Sequence, residues 1–320
     1  MSALVVGSVA LDTVETPFGK AEDVVGGSAV FFAGAASIFT SVQMVGVVGS
    51  DYPLSDLDFL VKRGVDLAGL EQADGESFRW SGRYDYDLNS RDTLDTRLGV
   101  FADFDPHIPE DFRDARYVFL GNIDPKLQLR TLEQVENPTF VACDTMNFWI
   151  DGSRDALLDV LERVDLLLVN DAEARQLADQ PNLLKAARWI RERGPRIVVV
   201  KKGEHGAILY GPDWLFFAPG YPLEEIFDPT GAGDAFAGGF VGYLAWVDSV
   251  ERDDLRRAMI YGSAMGSYAV EEFSVNRFVD LDEVAVVDRV REFRAMTEFR
   301  HEWDESRGAG GSTTDGTSRE

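Results

Sequence analysis

The sequence predicts an α/β protein with a mostly parallel central sheet covered by helices on both faces. Three observations carry this. From residue 115 onward, short apolar runs rich in β-branched residues alternate with helix-length amphipathic segments. The runs are apolar throughout, without a polar face, as expected of strands buried on both sides. Residues 75–104 differ: Phe78, Trp80, Gly82, Tyr84 and Tyr86 alternate with Arg79, Ser81, Arg83 and Asp85. That period of two predicts strands with two chemically different faces, in a small sheet apart from the main one.

In chain order, Ala3 to Val9 reads as a central buried strand, and residues 11–25, polar with Pro17 and Gly19, as a hairpin. Small and apolar residues from Ser28 to Thr40 follow Gly26-Gly27 and predict a helix. Val42 to Val48 is a second buried strand, and Ser55 to Arg63 a helix stopped by Gly64. Thr96 to Phe104 is expected to be extended and to complete, with 11–25 and 75–86, a lid sheet. Later strands are expected at Tyr117 to Leu120, Thr139 to Cys143, Leu166 to Val169, Ile197 to Lys201 and Ala207 to Tyr210. Helices are expected at 125–136, 153–163, 171–179, 182–193, 233–246 and 251–270. One domain should span 1–303, its lid formed by about 11–25 and 75–104. Residues 304–320, all Gly, Ser, Thr and charge apart from Ala309, predict a disordered tail.

Composition excludes several classes. With 320 residues, 45% of them hydrophobic, the chain can build a large core. Its net charge of −25 opposes nucleic-acid binding, which requires clustered Lys and Arg. No apolar run spans a membrane and no basic leader is present, so a cytoplasmic location is expected. The single cysteine, Cys143, precludes an internal disulfide and reads as a buried core thiol. Six lysines against 25 arginines, with strong acidity, fit either adaptation to high salt or a codon bias toward Arg. His107, His205 and His301 lack metal-site spacing.

The strongest chemical signal is Asp228-Pro-Thr-Gly-Ala-Gly-Asp234 running into the apolar helix. Gly231, Ala232 and Gly233 would aim amides outward at a helix N-terminus, which favours an anion. Asp234 there would repel a resting phosphate, but suits a base that faces an attacking hydroxyl. The plainer alternative is a helix start with an Asp in its first turn. No P-loop is present, nor the kinase motif set of protein kinases, and the turn after the first strand, Gly7-Ser-Val, lacks the dinucleotide fingerprint.

The segment Asp228 to Phe236 resembles the second signature of the ribokinase-like carbohydrate kinases, the PfkB family. Gly26-Gly27, Asp12, Asn170-Asp-Ala-Glu173 and Lys201-Lys-Gly203-Glu-His-Gly206 resemble further family motifs, in family order over roughly residues 3–295. The resemblance implies a three-layer α/β/α fold with a β-sheet lid and an ATP-dependent kinase acting on a small sugar-type molecule. It implies Asp234 as base, the 231–234 amides as anion hole, and Asn170 and Glu173 near phosphates and Mg2+, Glu173 acting through water. Asn170 capping a helix that carries Glu173 is the structural alternative. Lys202 and Gly203 would lie beside the nucleotide and Ser263 at the adenine. Asp228 and Thr230 would offer oxygens to a monovalent cation such as K+. Asp144 and Asn147 are phosphate-side candidates.

On the acceptor side, Asp12 with Gly26 and Gly27 would hold hydroxyls. Phe31 stands where many family members carry a sugar-binding Asn. Together with Trp80, Tyr84 and Phe101 it suggests a flatter acceptor, so a nucleoside kinase is the alternative. A non-catalytic ligand-binding protein on the same fold is the alternative from another class. Pairing of two subunits into a homodimer through the lid strands is the alternative use of that face.

Overall fold

The computed structural model describes residues 2–299. Within them the first strands are β1 (Ser2–Val6), β2 (Ala10–Thr16), β3 (Gly19–Gly26), β4 (Ser41–Val48), β5 (Val65–Gln72), β6 (Phe78–Tyr84) and β7 (Arg91–Arg97). They continue with β8 (Tyr117–Leu120), β9 (Phe140–Asp144), β10 (Leu166–Asn170), β11 (Ile197–Lys201), β12 (Ala207–Tyr210) and β13 (Leu215–Ala218). The helices of the first half are α1 (Ser28–Ala36), α2 (Asp58–Lys62), α3 (Pro125–Leu132), α4 (Asn147–Gly152) and α5 (Arg154–Leu161). Those of the second half are α6 (Asp171–Ala178), α7 (Leu183–Arg191), α8 (Ala232–Val247), α9 (Arg252–Ala269), α10 (Asn276–Val279) and α11 (Glu283–Thr297).

Nine strands form the central sheet in the order β13-β12-β11-β10-β9-β8-β1-β4-β5. From β11 to β5 every pairing is parallel, and β12 and β13 add an antiparallel edge. Burial on both faces explains the apolar runs Leu-Val-Val, Tyr-Val-Phe-Leu and Ile-Val-Val-Val in its central strands. Alternate residues enter two separate cores. Val5, Phe119, Ala142, Leu168 and Val199 face α1, α8 and α9, where Phe32 stacks on Phe119 at 4.6 Å. Val6, Leu120, Cys143, Val169 and Val200 face the other way, toward Leu157 of α5, Leu177 of α6 and Ile190 of α7. The result is the three-layer arrangement the sequence predicts.

A four-stranded sheet, β3-β2-β6-β7, stands apart as the lid. Its central pair, β2 and β6, is parallel and sets Asp12 beside Trp80. In a parallel pair such partners project from the same face, so Trp80 and Asp12 share one side of the lid. On the opposite face Arg83 pairs with Glu15, both well exposed.

Several expectations need correction. The last lid strand is Arg91–Arg97, not 96–104: Gly99 has φ 53°, and Gly99–Asp103 forms a 3-10 turn. There Phe101 stacks between Phe78 and Phe104, so it closes a structural cluster at the lid base and does not frame an acceptor. The edge strands β5 and β13 and the helices α4, α10 and α11 were not anticipated. Cys143 is buried at the end of β9, where burial pushes its thiol pKa upward. The tail expected at 304–320 lies outside the described residues.

Candidate active site

Three parallel strands end near one another, β9 two residues short of β10 and β11, and present three polar side chains. Asp144 closes β9, Asn170 closes β10 and Lys201 closes β11; the register pairs Leu168 with Asp144 and Asn170 with Lys201. Ligands in open α/β sheets bind at such carboxyl ends, because there the buried strand emerges and can change chemistry. Lys201 Nζ donates to Asp144 Oδ2 at 2.7 Å, with both side chains largely buried. Burial alone would lower the lysine pKa, but Asp144, Glu173 and Asp234 raise it, so it stays charged. Next to this pair, Asn170 Oδ1 accepts from the Glu173 amide at 2.8 Å and Glu173 Oε2 accepts from the Asn170 amide at 2.7 Å. This is a complete capping box on α6. It accounts for Asn170 and for one Glu173 oxygen structurally, and leaves Glu173 Oε1 uncommitted. The Glu173 pKa is raised by burial and by Asp144, with Lys201 opposing.

The loop from Asp228 to Asp234 meets this cluster from the side. Asp228 is buried; its Oδ1 accepts from the Thr230 amide at 2.8 Å and its Oδ2 from the Ser274 amide at 3.1 Å. Burial raises its pKa, and these amides pull it back. Asp228 therefore pins the loop. Thr230 Oγ1 donates to Tyr84 Oη of the lid at 3.2 Å, tying lid and loop together. Gly231 is the N-cap of α8 with φ 73°, a left-handed conformation that favours glycine. A Cβ at Gly231 would fall 2.2 Å from the Phe31 ring. Phe31, 1% exposed, lies beneath the loop and supports it, and does not line an open acceptor wall. A Cβ at Gly233 would fall 2.8 Å from Lys201 Nζ, so the lysine ammonium adjoins the helix N-terminus. Asp234 sits in the first turn of α8. Burial and the Asp144 charge raise its pKa to about 7, against Lys201 and Arg91. A carboxylate with that pKa is poised to take a proton near neutral pH.

Opposite, on the lid, Asp12 is buried beneath the turn at Gly26-Gly27. A Cβ on Gly26 would fall 2.0 Å from Asp12 Oδ2, so only glycine admits the carboxylate here. Burial, Asp228 and Asp234 raise the Asp12 pKa to about 7, although the Gly27 amide donates to it. Trp80 lies across Gly82 and its Nε1 donates to Thr93 at 3.3 Å. Tyr52 was missed by sequence reasoning. Its hydroxyl is buried, makes no hydrogen bond among the described residues, and feels the Asp12 charge. Thr145 Oγ1, next to Asp144, and Ser263 Oγ on α9 are likewise buried without a partner. Buried hydroxyls without partners are uncommon, and a bound ligand is one way to satisfy them. Lys202 and Gly203 form a tight turn, Lys202 N donating to Gly206 O at 2.8 Å, that meets the lid at Asn89.

A helix N-terminus, a buried lysine and a raised carboxylate thus converge on one point, with a second raised carboxylate facing them from a lid. That combination suits transfer of an anionic group to a hydroxyl. The chain belongs to the pfkB family of carbohydrate kinases, whose pattern matches residues 5–280. It is an ATP-dependent kinase of that family. It is 31% identical over 255 residues to a cytidine kinase of Thermococcus kodakarensis, covering 76% of this chain and 88% of that one. An ATP-dependent ribose-1-phosphate kinase of Halopiger xanaduensis is 29% identical over 253 residues, covering 76% and 79%. The nucleoside kinase of Burkholderia thailandensis, solved with inosine, superposes with a TM-score of 0.74 at 21% identity, over 93% of this chain and 100% of that one. It attests the fold. No helix among the described residues is long and apolar enough to cross a membrane.

Proposed function

We propose that the chain transfers the γ-phosphoryl group of ATP to a hydroxyl of a ribose-containing acceptor, with nucleosides as the substrate class. The observation that carries this is Asp12 standing beside Trp80 on the lid face toward Asp234. A carboxylate can accept both hydrogens of a vicinal diol, and an indole beside it forms a flat apolar wall. Asp234 takes the proton as the acceptor oxygen bonds to phosphorus and the β,γ-bridging bond breaks. The amides of Gly231 to Asp234 and the Lys201 ammonium face the charge on the transferred group.

The residues present fit Mg2+ as a partner of the nucleotide. Glu173 Oε1 and Thr145 Oγ1 are hard oxygen donors, and no group of three or more His, Cys, Asp or Glu among the described residues forms a cage. Mg2+ keeps most of its waters and binds through phosphates plus one or two carboxylates, so a sparse protein donor set suits it. When bound, the ion neutralises phosphate charge; Glu173 would hold one of its waters. A K+ ion would be held by Asp228 and Thr230, since each Asp228 oxygen accepts one amide and keeps a further lone pair. A cytoplasmic location and small-molecule partners, rather than nucleic acid, accompany this reading.

A free sugar is the second reading. The Trp80 ring is flanked by Gly82 and by the Arg91 guanidinium, which narrows the space left for a base. Coupled ADP release with cytidine, other nucleosides, ribose, ribose 1-phosphate and fructose decides between them. Turnover of nucleosides is expected; turnover of free sugars alone would replace the nucleoside reading.

A further inference from the structure

Arg91 opens β7 and is the register partner of Tyr84 on β6. Its guanidinium carbon lies 5.6 Å from the Trp80 ring centroid. The side chain is exposed, shares a hydrogen bond with the Tyr84 hydroxyl, and makes no ion pair with a described residue. This is unusual in so acidic a protein, where most arginines of the lid are paired: Arg79 with Asp23 and Asp51, Arg83 with Glu15 and Arg97 with Asp95. Three carboxylates nevertheless feel the Arg91 charge, namely Asp12, Asp234 and Glu173. They belong to the lid, the base position and the nucleotide side. A cation within range of all three stands over the gap where donor and acceptor meet.

The hairpin that carries Arg91 spans the same gap. Trp80 stands near its root and Tyr84 next to its tip, and Tyr84 is bonded to Thr230 of the loop before α8. Its tip reaches the turn after β11, where Asn89 Oδ1 would lie 2.5 Å from a Cβ on Gly203. Arg91 follows that tip by two residues, and its hydrogen bond to Tyr84, itself bonded to Thr230, limits how far it strays. The opposite side of the gap already has its cation, but Lys201 is neutralised by Asp144. Asp234 and Glu173 then leave the cluster net negative, which disfavours an incoming phosphoryl group unless a further cation meets it.

We propose that Arg91 is a catalytic residue that binds the transferring phosphoryl group from the lid side, opposite the N-terminus of α8. The inference rests on the phosphotransfer reading above. The acceptor oxygen forms a bond to the γ-phosphorus, the bond to the β,γ-bridging oxygen breaks, the acceptor proton passes to Asp234 and ADP leaves. Arg91 keeps its protons throughout and donates two N–H groups to equatorial oxygens. The planar guanidinium fork matches that geometry, which a lysine ammonium does not.

The test compares wild type, Arg91→Lys and Arg91→Ala in steady-state kinetics on an acceptor that wild type phosphorylates. Calorimetric Kd values for ADP and for the acceptor, and thermal melts, accompany the kinetics. Arg91→Ala is expected to lose about 10²–10³-fold in kcat. Its melting temperature and both Kd values should stay near wild type, and Arg91→Lys should recover only part of the rate. A kcat within threefold of wild type in Arg91→Ala overturns the proposal. So does a raised acceptor KM with kcat kept, which would assign Arg91 to an anion carried by the acceptor. Wild type that binds ATP but phosphorylates nothing in the panel removes the phosphotransfer reading itself, and Arg91 with it.

Discussion

The two halves of the site are built in opposite ways. The donor half is made of strand ends and a helix start: Asp144, Asn170 and Lys201 finish buried parallel strands, and Gly231 to Asp234 begin α8. Its cation is paired and its capping box is closed. The acceptor half hangs on a separate sheet, held to the body by Thr230 on Tyr84, Thr16 on the Phe227 carbonyl, Ser274 on the Val25 carbonyl and Arg79 on Asp51. There Asp12 is buried with a raised pKa, and among the described residues Tyr52 has an idle hydroxyl and Arg91 bonds Tyr84 but makes no ion pair. The donor half is thus cross-linked within itself, yet among the described residues both halves keep idle groups: Thr145 Oγ1, Ser263 Oγ and Glu173 Oε1 on the donor side, Tyr52 Oη on the acceptor side.

Removing a charge from each half should expose that difference. Lys201→Met leaves Asp144 buried without its partner, which typically costs 3–5 kcal/mol. A drop in denaturation free energy under about 1 kcal/mol would mean that the donor half does not depend on this pair. Asp12→Asn should act in the opposite sense. The folded-state pKa of about 7 exceeds the usual 3.8, so the native protein binds this proton more tightly than the unfolded chain. The resulting penalty is absent at pH 4, grows as pH rises from 4 to 7, and is complete above 7. At 1.36 kcal/mol per unit it reaches roughly 4 kcal/mol at most. Asp12→Asn is therefore expected to be more stable than wild type at pH 8, equal to it at pH 4, and unable to bind acceptor. Equal stability at both pH values would contradict a buried, strained carboxylate. The outer face of the lid provides the smallest effect. Arg83→Ala breaks an exposed pair with Glu15 and should cost about 0–0.5 kcal/mol with kinetics unchanged. A larger loss in either would show that the outer face takes part in closure.

Legibility in the sequence follows the same division. The central strands were readable because burial on both faces writes an unbroken apolar run, and α8 because glycines and an aspartate precede a long apolar stretch. β5 escaped because it is an edge strand that exposes Asp66, Glu71 and Gln72. β13 escaped because four residues with Leu215 and Phe217 exposed carry too little pattern. In the site, Lys201 was read as the end of a strand and Asp144 as a phosphate-side candidate. Their pairing across 57 positions exists only because parallel strands bring their carboxyl ends together, where the long Lys201 side chain reaches Asp144 past β10. A charged residue closing an apolar strand was the available signal. Tyr52 and Arg91 gave none, since their roles depend on how the lid sheet folds over the body. Phe31 misled for the same reason: beside Gly26-Gly27 in sequence it suggests an acceptor wall, but α1 turns it inward beneath Gly231.

The central claim is that Asp234 is the base of a phosphoryl transfer. Its direct test is the pH dependence of acceptor phosphorylation by wild type and Asp234→Asn. The pKa of about 7 places the acid limb of wild-type kcat/KM near neutrality, activity rising with pH as the carboxylate ionises. Asp234→Asn should bind ATP normally, lose about 10²–10⁴-fold in kcat, and lack that limb. A variant that turns over at the wild-type rate with the wild-type pH profile would contradict the account.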